Sequence, residues 1–293
     1  MYYNTKMNKT LSDHKSKRYG GAWPIYDTET IAHRDAFEYK KINSDEFLKN
    51  YREWFVQGHN INGFERYNEL AFSNGTTETF DKFYHKHMDR RLRICRGEYF
   101  YHQMMERIYK KFSWIGDGPI KEGDVFVCSV PFSDTGEVPK NLEIMLRECE
   151  DSNVPVLIDL AYINISQPLR LNLNYNCIDT ITTSLSKIFP IEHYRVGIRL
   201  QQTKIDDQMY AANEGGYINH YSVALGQHMI DKFPNDYIVK KYTEKQKEDC
   251  KQLGLEPSSC VIFGIDENNK YSEYKRGRSN NRLCFSRIWD GRK

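Results

Sequence analysis

Several features common in proteins are missing from this sequence, and each absence narrows what it can be. No window approaches the roughly 18 consecutive apolar residues of a membrane-spanning helix, and the polar start MYYNTKMNKT has no apolar stretch of the kind that forms a secretory signal. Cysteine is present but unpatterned. The residues at 95, 128, 149, 177, 250, 260 and 284 include no C-x-x-C pair, which argues against a zinc ribbon, a dithiol centre or a disulfide framework. A soluble protein of the reducing cytoplasm is the expectation. An excess of one charge is lacking too: Lys plus Arg number 42 and Asp plus Glu 40, so no global field draws the chain to nucleic acid or to an anionic membrane. There is no internal repeat, and H-E-x-x-H, G-x-S-x-G, Walker and G-x-G-x-x-G motifs do not occur. His85-x-His87 falls in a predicted helix, where a spacing of two turns the rings to different faces, so no metal site is expected. The sequons at Asn8, Asn74 and Asn164 are short patterns of the kind that arise by chance.

What is there is a chain of 293 residues, long enough to bury a large core without staples. Its mean hydropathy of −0.74 is polar, yet 21 tyrosines help lift the aromatic content to 14%. Tyrosine brings apolar area and a hydroxyl together, so part of the core is expected to be aromatic. Ser44-Asp45-Glu46-Phe47 opens a helix to about Phe55, with Ser44 as the cap. From Glu69 onward, apolar runs at 69–73, 92–95, 124–130, 154–160, 177–184 and 196–201 alternate with helical stretches after Thr76, around 102–112 and near 140–149. That alternation reads as βαβ units, hence an α/β fold with a mostly parallel sheet between two helical layers. Helices at about 217–233 and 236–253, broken at Pro234-Asn235-Asp236, precede apolar runs at 260–265 and 282–288. This order predicts a small α+β domain over 234–293, after a large domain over 69–233. An N-terminal segment, 1–68, is expected to serve the small domain and the substrate side.

Open α/β sheets place their sites at the carboxyl ends of strands, and four such ends carry chemistry here. Ser73-Asn74-Gly75-Thr76-Thr77-Glu78 puts glycine and hydroxyls at a helix N-terminus, where free N–H groups and the helix dipole suit a phosphate; an ordinary capped helix is the plainer reading. Val156-Leu157-Ile158-Asp159 ends a buried run on a carboxylate, which needs a cationic or hydrogen-bonding partner or serves only to cap a loop. Thr182-Thr183-Ser184-Leu185-Ser186-Lys187 ends on a lysine that desolvation would make nucleophilic, against the ordinary case of a solvated one. Arg195 follows eight residues later.

Together these meet the needs of pyridoxal phosphate: N–H groups, hydroxyls and an arginine for the phosphate, a carboxylate for the ring nitrogen, a lysine for the aldehyde. Ser184-Leu185-Ser186-Lys187 with Arg195-Val196-Gly197 closely resembles the S-x-S-K…R-x-G segment of the class I/II aminotransferases, the fold-type I pyridoxal-phosphate enzymes. Asp159-Leu160-Ala161-Tyr162 and Asn74-Gly75-Thr76-Thr77-Glu78 resemble that family's aspartate strand end and phosphate turn, in the same order along the chain. The likeness covers about residues 69–202 and makes 69–233 the cofactor-binding domain.

The resemblance implies residue roles. Lys187 would be the Schiff-base lysine and proton carrier, Asp159 the partner of the ring nitrogen, and Tyr162 a donor to the phenolic oxygen. Gly75, Thr76, Thr77, Ser184, Ser186 and Arg195 would hold the phosphate. Tyr99, with Tyr101 second, would cover the ring. Val130-Pro131-Phe132-Ser133-Asp134-Thr135-Gly136 is similar to the family's N-P-T-G loop, with Ser133 standing at the asparagine. Asn281-Arg282-Leu283-Cys284-Phe285 is similar to the late strand whose arginine grips the substrate carboxylate, so Arg282 is expected there, with Arg278 and Arg287 as competitors. Gly20-Gly21-Ala22-Trp23 would line the substrate side, or form a simple turn. The chain is shorter than the family's usual members, which implies small substrate-facing parts. Implied as a whole is a homodimeric transaminase acting on an α-amino acid and a 2-oxo acid. The alternatives are a pyridoxal-phosphate lyase (β- or γ-elimination, or decarboxylation) and a cofactor-binding homologue without turnover.

Overall fold

The computed structural model describes residues 17–275 and 280–289; Asn8 and Arg278 lie outside them. Along the chain come α1 (Thr28–Asp35), α2 (Ser44–Phe55), β1 (Asn60–Asn62), β2 (Glu69–Asn74), α3 (Thr76–Lys86) and β3 (Arg91–Ile94). A short helix, α4 (Phe100–Met104), leads to β4 (Phe112–Trp114), β5 (Asp124–Ser129), α5 (Leu142–Asp151) and β6 (Val156–Asp159). Then follow β7 (Arg170–Asn172), β8 (Ile178–Ser184), β9 (Val196–Gln201), α6 (Gln208–Glu214), α7 (His220–Lys232) and α8 (Tyr237–Leu253). The described chain closes with β10 (Glu256–Pro257), β11 (Phe263–Asp266) and β12 (Asn281–Cys284).

Seven strands form the central sheet in the order β2-β9-β8-β6-β5-β3-β4. The pairs from β8 through β6, β5 and β3 to β4 are parallel, and β9 runs antiparallel to both β8 and β2. Every residue of β5, β6 and β9 is buried, the pattern of a sheet covered on both faces. The mostly parallel α/β sheet expected from the alternation of runs is therefore present. A separate antiparallel sheet, β10-β11-β12, follows α8; β11 and β12 overlap the two apolar runs expected there, and β10 is an addition to them. Among the described residues no helix is long and apolar enough to cross a membrane, and no group of three or more His, Cys, Asp or Glu could hold a metal.

Local details depart from the sequence reading. Asn43, not Ser44, caps α2: its side chain accepts from the N–H groups of Asp45 at 2.8 Å and Glu46 at 3.2 Å. The helix expected around 102–112 is only α4 and one 3-10 turn before β4 begins. Sheet pairing decides this: β4 lies parallel to β3 with Leu92 opposite Phe112, and the edge strand outcompetes helix propensity. Strands β1 and β7 pair with each other away from the main sheet; runs of three residues leave too little periodicity to be read.

Candidate active site

The carboxyl ends of β5, β6 and β8 bring Ser129, Asp159 and Ser184 to the wall of one cavity of about 420 Å³. Register explains the grouping, because Ser129 stands opposite Asp159 and Asp159 opposite Thr182. The turn between β2 and α3 adds Thr76 and Thr77, and the loop after β8 adds Ser186, Lys187 and Arg195. From far along the chain come Trp23 and Arg282 of β12. Tyr99, Tyr101, Ser133 and Tyr162 also line the cavity, whereas Gly75, expected with them, does not.

Lys187 Nζ donates to the carbonyl of Ala22 at 2.6 Å and lies 5.8 Å from the centre of the Tyr162 ring. Burial lowers this amine to about 8, with Arg282 and Arg195 adding to the effect and Cys284 and Asp159 opposing it. Asp159 accepts from the N–H of Ala161 at 2.9 Å. Its other oxygen lies 3.8 Å from Nε2 of His102, a fully buried imidazole.

At the opposite end the chain is tightly built. Gly75 has φ +71, and a Cβ there would stand 2.4 Å from Nη2 of Arg195, so only glycine lets the guanidinium lie across the turn. Arg195 Nη2 donates to Thr77 Oγ1 at 2.7 Å. No side chain caps α3, which leaves its first N–H groups and the positive end of its dipole toward the cavity. Ser186 Oγ is buried there without a hydrogen-bond partner.

Arg282 is buried, donates to the carbonyls of Ser133 and, at 3.3 Å, Gly20, and lies 4.2 Å over the Phe263 ring. Its competitor Arg287 is exposed and sits 5.8 Å over the Trp23 ring. Tyr99 and Tyr101 both reach the cavity, with nearly parallel rings 6.4 Å apart, and the Tyr101 hydroxyl is drawn to Asp81.

Three residues escaped the sequence reading. Glu98, fully buried, accepts from the N–H of Tyr99 at 2.6 Å, the N–H of Ser129 at 2.9 Å and the Ser129 hydroxyl; burial raises its carboxyl above the usual value, against His102 and these donors. His102 lies one helical turn after Tyr99, a spacing that could have marked it. Glu192 lies between Lys187 and Arg195 on the cavity wall, and nothing in its neighbours singled it out.

This arrangement gathers an amine of lowered pKa, a carboxylate, an anion cradle and a second arginine around one cavity. The family model of aminotransferases class I and II matches residues 27–253. The chain belongs to that family. No curated protein sequence matches it. Solved structures resemble it in fold. The pyridoxal-phosphate-bound C-S lyase of Staphylococcus hominis has a TM-score of 0.67 at 10% identity, covering 96% of this chain and 88% of that one. N-Succinyldiaminopimelate aminotransferase of Mycobacterium tuberculosis has 0.65 at 10%, covering 92% and 88%. L-Threonine-O-3-phosphate decarboxylase of Porphyromonas gingivalis has 0.59 at 12%, covering 90% and 92%. The fold is type I, and class I and II aminotransferases depend on pyridoxal phosphate. The residues present fit that cofactor: an orphaned hydroxyl, an uncapped helix N-terminus and Arg195 are three anion donors on one wall, and a buried lysine and aspartate share the same cavity.

Proposed function

We propose that this protein is a transaminase that moves an amino group between an α-amino acid and a 2-oxo acid. The observation that carries the reading is the buried Lys187 amine, lowered to about 8 in the cavity that Asp159, Arg195 and Arg282 also line. When bound, pyridoxal phosphate supplies an aldehyde for amino groups and a ring that withdraws electrons from the bonds of the α-carbon.

The chain's own residues do the rest. Arg195, Thr76, Thr77, Ser184 and Ser186, with the N–H groups after Gly75, would bind the phosphate. Asp159 would keep a proton on the ring nitrogen, and Tyr162 would donate to the phenolic oxygen. Ser133 would make a shorter-reaching contact beside it. Tyr99 would cover one face of the ring. Arg282 would grip the substrate α-carboxylate through its paired N–H groups, with Trp23 closing the substrate side. Lys187 Nζ, lowered to about 8, is neutral far more often near pH 7 than an ordinary lysine, so it can attack a carbonyl and later take and return the α-carbon proton. A homodimer of the reducing cytoplasm belongs to the same reading.

Absorbance tests it. Added pyridoxal phosphate should give a visible band in the purified protein and none in Lys187→Ala. A band unchanged by that substitution overturns the assignment. Single turnovers with a panel of amino acids should then release a keto acid and leave pyridoxamine phosphate. Ammonia and a keto acid with the cofactor unchanged would instead show a lyase, and no reaction with any of them a binding homologue.

A further inference from the structure

Two carboxylates line the cavity among the described residues, Asp159 and Glu192, and the second has no part in holding the cofactor. Glu192 sits in the loop between Lys187 and Arg195, with its side chain only 10% exposed. One oxygen, Oε1, accepts from the hydroxyl of Tyr26, on the same N-terminal stretch as Trp23 and Pro24, which also line the cavity. The other, Oε2, is out of contact with water and accepts no hydrogen bond. Its ionic neighbour is His193, whose Nε2 is 3.5 Å from Oε1 and whose side chain is 81% exposed, so solvent screens that contact and Oε2 gains nothing from it.

A buried carboxylate oxygen without a donor is costly, and the cavity already spends its cations elsewhere. Lys187, Arg195 and Arg282 are assigned to the aldehyde, the phosphate and the substrate α-carboxylate. The group still free to meet Glu192 is the substrate's side chain. A substrate carboxylate there would be repelled, and a purely apolar end would leave Oε2 unpaired. A cation supplies the missing hydrogen bond in its stronger, charge-assisted form. In this conformation Oε2 has no accessible surface, and a turn about the broad terminal torsion of glutamate would bring it to the cavity that the side chain lines.

Resting on the transaminase reading above, we propose that Glu192 sets substrate specificity, and that the amino acid this site takes carries an ammonium or guanidinium group at the end of its side chain. The test is equilibrium binding followed by the absorbance of the bound cofactor, with L-lysine and L-norleucine as probes; norleucine lacks the terminal ammonium. In the wild-type protein lysine should bind about tenfold or more tighter, the fold-change of one charge-assisted hydrogen bond. Glu192→Gln keeps an acceptor for Tyr26 and removes the charge, and the preference should collapse toward one. Tyr26→Phe should retain it. A wild-type protein that binds norleucine as well as lysine overturns the proposal without any variant, and so does a preference that survives in Glu192→Gln. Absence of any Lys187-dependent band overturns the transaminase reading and this one with it. A normal band without the preference removes the role of Glu192 alone.

Discussion

Burial lowers the Lys187 amine to about 8 from the ordinary lysine value, and this has a kinetic consequence. The neutral amine is the nucleophile, and its fraction rises as pH passes upward through the amine's pKa. Stopped-flow mixing of pyridoxal phosphate with the unloaded protein should therefore show capture accelerating up to about pH 8 and levelling above it. A rate still climbing toward the range of a free lysine would contradict a buried amine. Glu98 shows the opposite case, a group whose worth lies in what it holds. Its carboxylate ties the N–H of Tyr99 to the N–H and hydroxyl of Ser129, and so fixes the segment of Tyr99 to the strand beside that of Asp159. Glu98→Ala leaves the buried N–H of Ser129 and the half-buried N–H of Tyr99 without this acceptor and should cost about 1–3 kcal/mol for the buried group, read as a lower urea midpoint.

Among the elements, the turn from β2 into α3 depends on backbone room more than on side chains. Gly197 of β9 stands opposite Ser73, and a Cβ on it would come within 2.9 Å of the backbone of Gly75. Both glycines let the two strands and Arg195 close around the helix N-terminus. Gly75→Ala should weaken cofactor binding by about tenfold or more, since it displaces the guanidinium and adds the strain of a positive φ, about 1 kcal/mol or more; titration of the visible band measures it. The far end of the sheet has its own lock. Asp124, at the start of β5, pairs with Arg91 at 2.7 Å and with the fully buried Arg93 at 3.0 Å. Burial alone would raise its carboxyl, but Arg91, the N–H of Lys121 and Arg93 together hold it below its usual value. A carboxylate lowered in the folded state stabilises it above the usual carboxylate range, and that contribution is lost as pH falls through the lowered value. Asp124→Ala leaves Arg93 inside without its counter-ion and should cost about 3 kcal/mol or more. Denaturant melts of the two proteins should differ less in strong acid than at pH 7.

At the scale of the whole molecule the cavity joins parts of the chain that are far apart in sequence, from Trp23 through Thr77 and Lys187 to Arg282. A ligand held by all of them binds the folded state alone, so saturating pyridoxal phosphate should raise the melting temperature, and should raise it less in Lys187→Ala. The chain covers 88% of the C-S lyase and 92% of the decarboxylase it resembles. Trp23 and Arg282 both line the cavity. The sequence by itself determined the alternation that makes a mostly parallel sheet, because buried parallel strands must be continuously apolar and their ends are where polar residues reappear. Asp159, Lys187 and the Gly75 turn were legible for that reason. It did not determine β4, whose three residues acquire strand structure only by pairing with β3, nor the cap of α2, where Ser44 and Asn43 are equally able and only the backbone path chose between them. Nor could it show where Glu98, His102 and Glu192 lie. A carboxylate or an imidazole carries the same chemistry anywhere in a chain, and what makes each of these distinct is burial and the partner it meets. Those are set by strand register and by loops returning from elsewhere, which the tertiary structure alone decides.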